Sequence, residues 1–169
     1  VNGVLRALAR QKATALPETR AATVDAPDWF CERLIHAYGN EKAAAILAAH
    51  RVEAPTDFTV RAEPEKWAAR LDGIVLPTGT VRVERLSAPV PDLPGFGEGA
   101  WWVQDAAAAL PARLLGNAAG MRVADLCAAP GGKTAQLVSA GARVTAVDIS
   151  ANRLKRLAAN LGRLGLEAE

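Results

Sequence analysis

In the C-terminal part of the chain, the spacing of apolar residues alternates between patterns typical of strands and of helices. Residues 121–126 (MRVADL) form a short apolar run that ends near Asp125 and predicts a buried strand. Residues 132–140 have helical spacing, and residues 142–149 (ARVTAVDI) predict a second buried strand that is closed by Asp148. The order of strand, turn, helix and strand is typical of the first unit of a doubly wound nucleoside-binding fold, so it predicts the α/β class.

A further helix is predicted after the second strand. Ser150 is a favourable N-cap residue, and leucines at helical spacing follow it at positions 154, 157, 161 and 164. Arg153 comes five residues after Asp148. We expect its side chain to be solvated, with a contact to a ligand beside Asp148 as the alternative.

The N-terminal half predicts shorter elements. Residues 1–11 predict a helix and residues 13–26 a linker, and Pro27 is well placed to begin a helix that Gly39 ends. The predicted buried positions of that helix are Phe30, Leu34, Ala37 and Tyr38, and a second helix is predicted over residues 41–50. A strand at 58–61, a helix at 63–71 and a strand at 81–86 predict a small α+β module.

Residues 87–99 (SAPVPDLPGFGEG) contain three prolines and three glycines, which is typical of a domain boundary or a crossing loop. Two adjacent tryptophans, Trp101 and Trp102, follow this segment. We expect both to pack in a core, because aromatic side chains bury large areas, and stacking on a nucleic-acid base is the alternative. Gln104 and Asp105 then open an alanine-rich helix that is predicted to run toward Leu115.

The turn between the two C-terminal strands ends in Gly-Gly-Lys-Thr, as a triphosphate-binding loop does. That loop requires a glycine five residues before Gly132, and this position is Cys127. Pro130 lies inside the turn and has no N–H group to donate to a phosphate. The sequence therefore argues against a nucleoside triphosphate.

A nucleoside without a pyrophosphate fits this turn better. Gly131 and Gly132 permit a tight turn and close approach of the backbone. Asp148, 17 residues after Gly131, is placed to accept hydrogen bonds from ribose hydroxyls. The full G-x-G-x-x-G pattern of dinucleotide sites is absent, which favours a mononucleoside cofactor such as S-adenosylmethionine.

These motifs carry a resemblance to a known family. The segments DLCAAPGGKT (125–134) and AVDIS (146–150) resemble the cofactor motifs of the Sun/Nop family of RNA (cytosine-5) methyltransferases, among them the bacterial small-subunit ribosomal RNA enzymes. PDWFCERLIHAYG (27–39) and PGFGEGAWWVQDAAA (94–108) are similar to the segments that precede those motifs, and VNGVLR (1–6) is similar to the last helix of a NusB-like domain. Ala107 and Ala108 depart from the Ser and Met that often stand in the family.

The resemblance implies a domain organisation. Residues 1–20 would be the end of a helical NusB-like RNA-binding domain, residues 21–94 a small α+β module of RNA-binding type, and residues 95–169 the first part of a Rossmann-like methyltransferase domain. On this view we expect the chain to be an internal segment of a longer protein.

The resemblance also implies a site and a reaction. The cofactor would be S-adenosyl-L-methionine, held by Cys127, Ala128, Ala129, Pro130, Gly131, Gly132, Lys133 and Asp148. The reaction would be methylation of carbon 5 of a cytosine in ribosomal RNA, which requires a cysteine thiolate to add at carbon 6. The family's two catalytic cysteines lie downstream of these motifs, so no catalytic residue is assigned here. We expect the segment alone to be inactive, with Cys31 and Cys127 as buried structural residues.

Composition limits the class of protein further. Two distant cysteines form no disulfide framework, and the positions of His36 and His50 suggest no metal site. The apolar runs are too short to span a membrane, and a net charge of +2 permits RNA binding without demonstrating it. We expect a monomeric cytoplasmic protein with ribosomal RNA as its partner and no metal.

Two alternatives remain open from the sequence. Another S-adenosylmethionine enzyme, or a nicotinamide-dependent oxidoreductase, can use the same fold, and tighter binding of NAD would favour the latter. A non-catalytic RNA-binding or scaffold protein that retains the cofactor fold is the second alternative. RNA binding without methyl transfer would favour it.

Overall fold

A computed structural model describes residues 4, 6, 7, 10 and 26–169 of the chain. Most of the predicted first helix and almost all of the predicted linker lie outside the described residues. The chain divides into two compact units, Val1–Glu53 and Ala54–Glu169. The domain limits expected at residues 20 and 94 stay predictions.

The four described residues before position 26 are helical, and the helix Asp28–Ala49 (α1) follows, interrupted at Gly39. The backbone of Gly39 has φ 79° and ψ 166°, outside the helical region, so the predicted helix end there is confirmed. The predicted buried stripe is wrong in part, because Ala37 and Tyr38 are exposed. The buried side chains of the two halves are instead Cys31, Leu34, Ala43 and Leu47, which form one small core.

The second unit contains two sheets and four helices. Its strands are Thr56–Val60 (β1), Ile74–Val75 (β2), Val81–Val83 (β3), Trp101–Val103 (β4), Arg122–Asp125 (β5) and Arg143–Ala146 (β6). Its helices are Pro64–Leu71 (α2), Ala106–Arg113 (α3), Gly132–Ser139 (α4) and Ala151–Leu164 (α5), and a short 3₁₀ turn covers Val90–Asp92. Strands β2, β3, β1 and β4 form an antiparallel sheet in that order, whereas β5 and β6 form a parallel pair.

Strand β4 separates two hydrophobic cores and contributes one tryptophan to each, because successive side chains of a strand point to opposite faces. Trp101 is fully buried against Phe58 and α2, with a ring-centroid distance of 4.7 Å to Phe58. Trp102 faces the other way, toward Ala128, Ala135 and the leucines of α5. Both tryptophans are therefore core residues, which confirms the prediction of core packing.

The helices begin where the sequence predicts. Asp105 caps α3 by accepting hydrogen bonds from the N–H groups of Ala107 and Ala108, and Ser150 caps α5 by accepting from Arg153. Leu157, Leu161 and Leu164 of α5 are buried, as expected of the apolar stripe. These leucines fix α5 against α4 and place the start of α5 beside the turn that follows β5.

The parallel pair β5–β6 is less buried than predicted. In β5 only Asp125 is buried, while Arg122 and Ala124 are exposed. Beyond β6, the N–H of Glu169 donates to the carbonyl of Val144 at 2.9 Å, and the N–H of Ala146 donates to the carbonyl of Glu169 at 2.6 Å. This pair of hydrogen bonds is the pattern formed between parallel strands, so the end of the described chain lies along the outer edge of β6.

Candidate cofactor site

The turn between β5 and α4 is anchored at both ends by one buried hydrogen bond. The hydroxyl of Thr134 donates to Oδ2 of Asp125 at 2.8 Å. Thr134 is fully buried and Asp125 is 8% exposed, so the bond is shielded from water. It joins the last residue of the strand to the first turn of the helix, and thereby fixes the span of residues 126–133 between them.

Three backbone N–H groups of the turn donate hydrogen bonds within the protein. The N–H of Ala128 donates to the carbonyl of Val147 at 3.0 Å, and the N–H of Gly131 donates to the carbonyl of Ala128 at 2.7 Å. The N–H of Ala129 donates to Oδ2 of Asp148 at 3.2 Å. A bonded N–H group is not available to a phosphate, whereas Gly132 and Lys133 stand in the first turn of α4, where a helix leaves its N–H groups without intrahelical partners.

The two glycines of the turn have their missing side chains directed at protein. Gly131 has φ 107°, and a Cβ atom built on it would lie 3.3 Å from Cγ of Leu157. A Cβ atom on Gly132 would lie 3.5 Å from the side chain of Gln104, an ordinary contact distance. Gly131 is thus required by backbone conformation and by helix packing, a reason that differs from the close approach of a ligand.

Asp148 lies against the turn, so the structure brings the two predicted halves of the site together. Its side chain is only 2% exposed. Besides Ala129, the N–H of Ser150 donates to it at 3.0 Å, and Nη2 of Arg153 lies 3.4 Å from its Oδ2. Three donors therefore occupy a carboxylate that has about four acceptor positions. One acceptor position therefore remains unused, on Oδ1.

Two residues of α5 complete this wall of the site, and sequence reasoning gave them little or no weight. Arg153 donates to the carbonyl of Ala129 at 2.6 Å, in addition to its ion pair with Asp148. Asn160 donates to the carbonyl of Pro130 at 2.8 Å. Arg153 and Asn160 are seven residues apart, which is about two helical turns, so they lie on the same side of α5. This seven-residue spacing is the sequence signal from which their shared side could be predicted.

Cys127 is exposed, so the prediction that it is a buried structural residue is wrong. The chain leaves the sheet directly after Asp125, and the neighbouring Leu126 is also 71% exposed. Cys127 therefore stands on the open side of the turn, where no core is available to cover it. Cys31 is buried, as predicted.

The turn separates two cavities of similar size. One, of about 290 Å³, is lined by Asp125, Leu126 and Lys133 together with α3 and α4. The other, of about 300 Å³, lies between Pro130–Gly132, the end of α5 and strand β4. Arg163 lines the second cavity and donates to the carbonyls of Phe96 and Trp101, and burial lowers the pKa of its guanidinium.

Two further features are absent from the described part of the chain. Within residues 26–169 and the four described residues before them, no cluster of three or more His, Cys, Asp or Glu side chains could hold a metal ion. Within the same part of the chain, none of the helices combines the length and apolar character that a membrane crossing requires.

Comparison with known proteins places this geometry in a family. Residues 112–169 match the family model described as 16S rRNA methyltransferase RsmB/F. The ribosomal RNA small subunit methyltransferase B of Escherichia fergusonii is 38% identical over 182 residues, which cover 99% of this chain and 42% of that protein. The protein of the same name from Salmonella paratyphi B is 40% identical, with the same coverage. The chain belongs to the RsmB/F family.

Two solved structures are similar to this chain in fold. A methyltransferase homologue from Pyrococcus horikoshii is 25% identical with a TM-score of 0.71, over 90% of this chain and 55% of that one. NSun6 from the same organism is 17% identical with a TM-score of 0.72, over 84% and 64%, and it supports the fold. The chain spans less than half the length of the curated RsmB/F relatives it matches.

Proposed function

We propose that the protein containing this chain is an S-adenosylmethionine-dependent methyltransferase that acts on carbon 5 of a cytosine in ribosomal RNA. The observation that carries the proposal is the contact between the turn 126–133 and Asp148, which puts a carboxylate beside a glycine-containing turn at the carboxyl end of β5. The names of the RsmB/F family and of its curated members support RNA methylation.

The residues present fit a mononucleoside cofactor. Asp148 retains an acceptor position on Oδ1 for a ribose hydroxyl, and Arg153 holds both Asp148 and the carbonyl of Ala129 in place. We propose that the cofactor lies along Cys127–Lys133, with Asp148 at its ribose. A structure of NSun6, whose fold this chain shares, was solved with SFG, an S-adenosylmethionine analogue.

When bound, S-adenosylmethionine supplies an activated methyl group. This chain's own residues bind and orient. Asp148 accepts hydrogen bonds, and the bond between Thr134 and Asp125 keeps the turn in one conformation. We assign no nucleophile in this chain, because Cys127 belongs to the turn and would approach the cofactor rather than a base. By family resemblance, two further cysteines outside this chain perform the addition to carbon 6 and the release of the product.

Two measurements test the proposal. Isothermal titration of the protein encoded by the complete reading frame should detect S-adenosylmethionine, with weaker or no binding of NAD and ATP. The same protein, given tritiated S-adenosylmethionine and small-subunit ribosomal RNA, should form 5-methylcytidine, whereas residues 1–169 alone should form none. Tighter binding of NAD would favour an oxidoreductase. If the protein binds RNA but forms no 5-methylcytidine, the result would favour a non-catalytic RNA-binding scaffold.

A further inference from the structure

The charge of helix α5 is one-sided. Its 14 residues include Arg153, Lys155, Arg156 and Arg163 and no acidic residue. Surface helices usually carry both signs, since oppositely charged residues three or four positions apart stabilise a helix and like charges destabilise it. The composition of α5 lacks this stabilisation.

The four cations fall into two pairs. Arg153 and Arg163 are held by protein, the first by Asp148 and the carbonyl of Ala129, the second by the carbonyls of Phe96 and Trp101. Lys155 and Arg156 are exposed, and neither forms an ion pair with any residue in the described part of the chain. The positions three and four residues away from them hold only Ala151, Asn152, Arg153, Ala158, Ala159 and Asn160.

The free pair lies beside the candidate cofactor site. Arg156 comes three residues after Arg153 and four before Asn160, and these two residues bond the carbonyls of Ala129 and Pro130. Residues at this spacing share one side of a helix. Arg156 therefore stands between the two contacts that join α5 to the turn, with its side chain exposed, and the exposed Lys155 lies about 100° from it around the helix, on the solvent side.

We propose that Lys155 and Arg156 bind phosphates of the RNA strand whose base is presented to the cofactor site. This inference rests on the proposed function, and it adds the place on the chain where the substrate's backbone lies. Exposed cations without acidic neighbours attract a polyanion, and phosphate contacts position RNA without reading its sequence. The contacts held by Arg153 and Asn160 keep this basic face at a fixed distance from the turn.

The salt dependence of RNA binding tests this surface. Filter binding of small-subunit ribosomal RNA to the full-length protein is measured from 50 to 400 mM potassium chloride, about the range over which counterion release is resolved. For the double variant Lys155→Gln/Arg156→Gln we expect binding weaker by on the order of tenfold at low salt, and a slope of log K against log salt shallower by about 1.5–2.

A matched control removes the same charge elsewhere. Arg122→Gln/Arg143→Gln changes the exposed first residues of β5 and β6, which are register partners at the ends of the strands remote from the turn. This variant should keep the wild-type slope. Unchanged thermal unfolding and unchanged affinity for S-adenosylmethionine in both variants show that the fold and the cofactor site are intact.

Each other outcome has a definite meaning. RNA binding with an unchanged slope in the Lys155/Arg156 variant overturns this inference and leaves the proposed function standing. An equal loss of RNA affinity in both double variants would show a general effect of net charge and would also overturn this inference. Absence of RNA binding by the wild-type protein refutes the proposed function itself. Polyglutamate that binds as tightly as RNA would assign the face to an acidic protein instead.

Discussion

At the scale of single residues, the two glycines of the turn are needed for different structural reasons. Gly131 combines a positive φ with a close neighbour, Leu157, so a side chain there meets both backbone strain and helix α5. Gly132 begins α4 with ordinary space around it. The Gly-Gly pair looks uniform in the sequence, and only the backbone angles separate its members.

Gly131→Ala is expected to lower the free energy of unfolding by about 1–2 kcal/mol, the usual cost of left-handed backbone for a residue with a Cβ. Gly132→Ala is the matched control and should change stability by less than about 0.5 kcal/mol. Urea denaturation of both variants checks this. Equal destabilisation by the two substitutions would contradict it, since the conformational difference between the glycines would then have no energetic consequence.

The sequence was informative about site residues that belong to local motifs. Asp148 was predicted from its place at the end of a strand, and it does lie against the turn. The involvement of Asn160 was not predicted: its spacing from Arg153 puts both residues on one side of α5, but only the packing of the folded chain turns that side toward the carbonyl of Pro130. Exposure of Cys127 was missed because free cysteines are commonly buried, whereas the chain leaves the sheet at this point and no core covers it.

At the scale of elements, capping residues and apolar periodicity located the helices, and the short strands were harder. Strand β2 has two residues and β4 has three, too few for an alternating pattern to emerge. In β4, moreover, Trp101 and Trp102 are both buried because the strand separates two cores, so alternation is lost. Such a strand is recognisable only once its neighbours are placed.

A buried carboxylate ties the antiparallel sheet to the start of α3. Asp57 accepts two hydrogen bonds from Arg82, at 2.7 and 2.8 Å, and one from the N–H of Ala106 at 2.9 Å. The hydrogen bonds from Arg82, which outweigh the effect of burial, hold the pKa of Asp57 below its ordinary value. The ionised Asp57 carboxylate therefore contributes its full stabilisation at pH values above the pKa of about 3.9 that the residue has in the unfolded chain. This stabilisation is lost as the pH falls through the lower pKa that Asp57 has in the folded protein.

Asp57→Asn is expected to unfold at lower urea concentration than wild type at pH 6, because Arg82 loses its charged partner. The difference should narrow as the pH is lowered below about 4, since the wild-type carboxylate then protonates. Asp92→Asn, at an exposed carboxylate, serves as the control and should show no such trend. A difference for Asp57→Asn that stays constant down to pH 2 would show that ionisation of Asp57 does not contribute.

At the scale of the whole second unit, one buried side-chain amide connects the antiparallel sheet to the candidate site. Oε1 of Gln104 accepts from the hydroxyl of Thr59 at 2.8 Å and from the indole of Trp102 at 2.9 Å. Its Nε2 donates to Gln136 of α4 at 3.1 Å. All these links pass through one residue that is 7% exposed, so the sheet and the helix that follows the turn are joined through Gln104.

A double-mutant cycle measures that connection. Gln104→Leu should lower the free energy of unfolding by about 2–3 kcal/mol, because buried donors lose their partner. Thr59→Val should cost less in the Gln104→Leu background than alone, with an interaction energy of about 0.5–1.5 kcal/mol. Strict additivity in urea denaturation would mean that the hydroxyl and the amide stabilise the unit independently.

The bond between Thr134 and Asp125 has a consequence for the entropy of binding. A turn whose two ends are joined by a buried bond, and whose N–H groups at Ala128, Ala129 and Gly131 are already bonded, loses much of its conformational freedom when the chain folds. A ligand that settles along it has little disorder left to remove, so more of the free energy of its contacts remains as affinity.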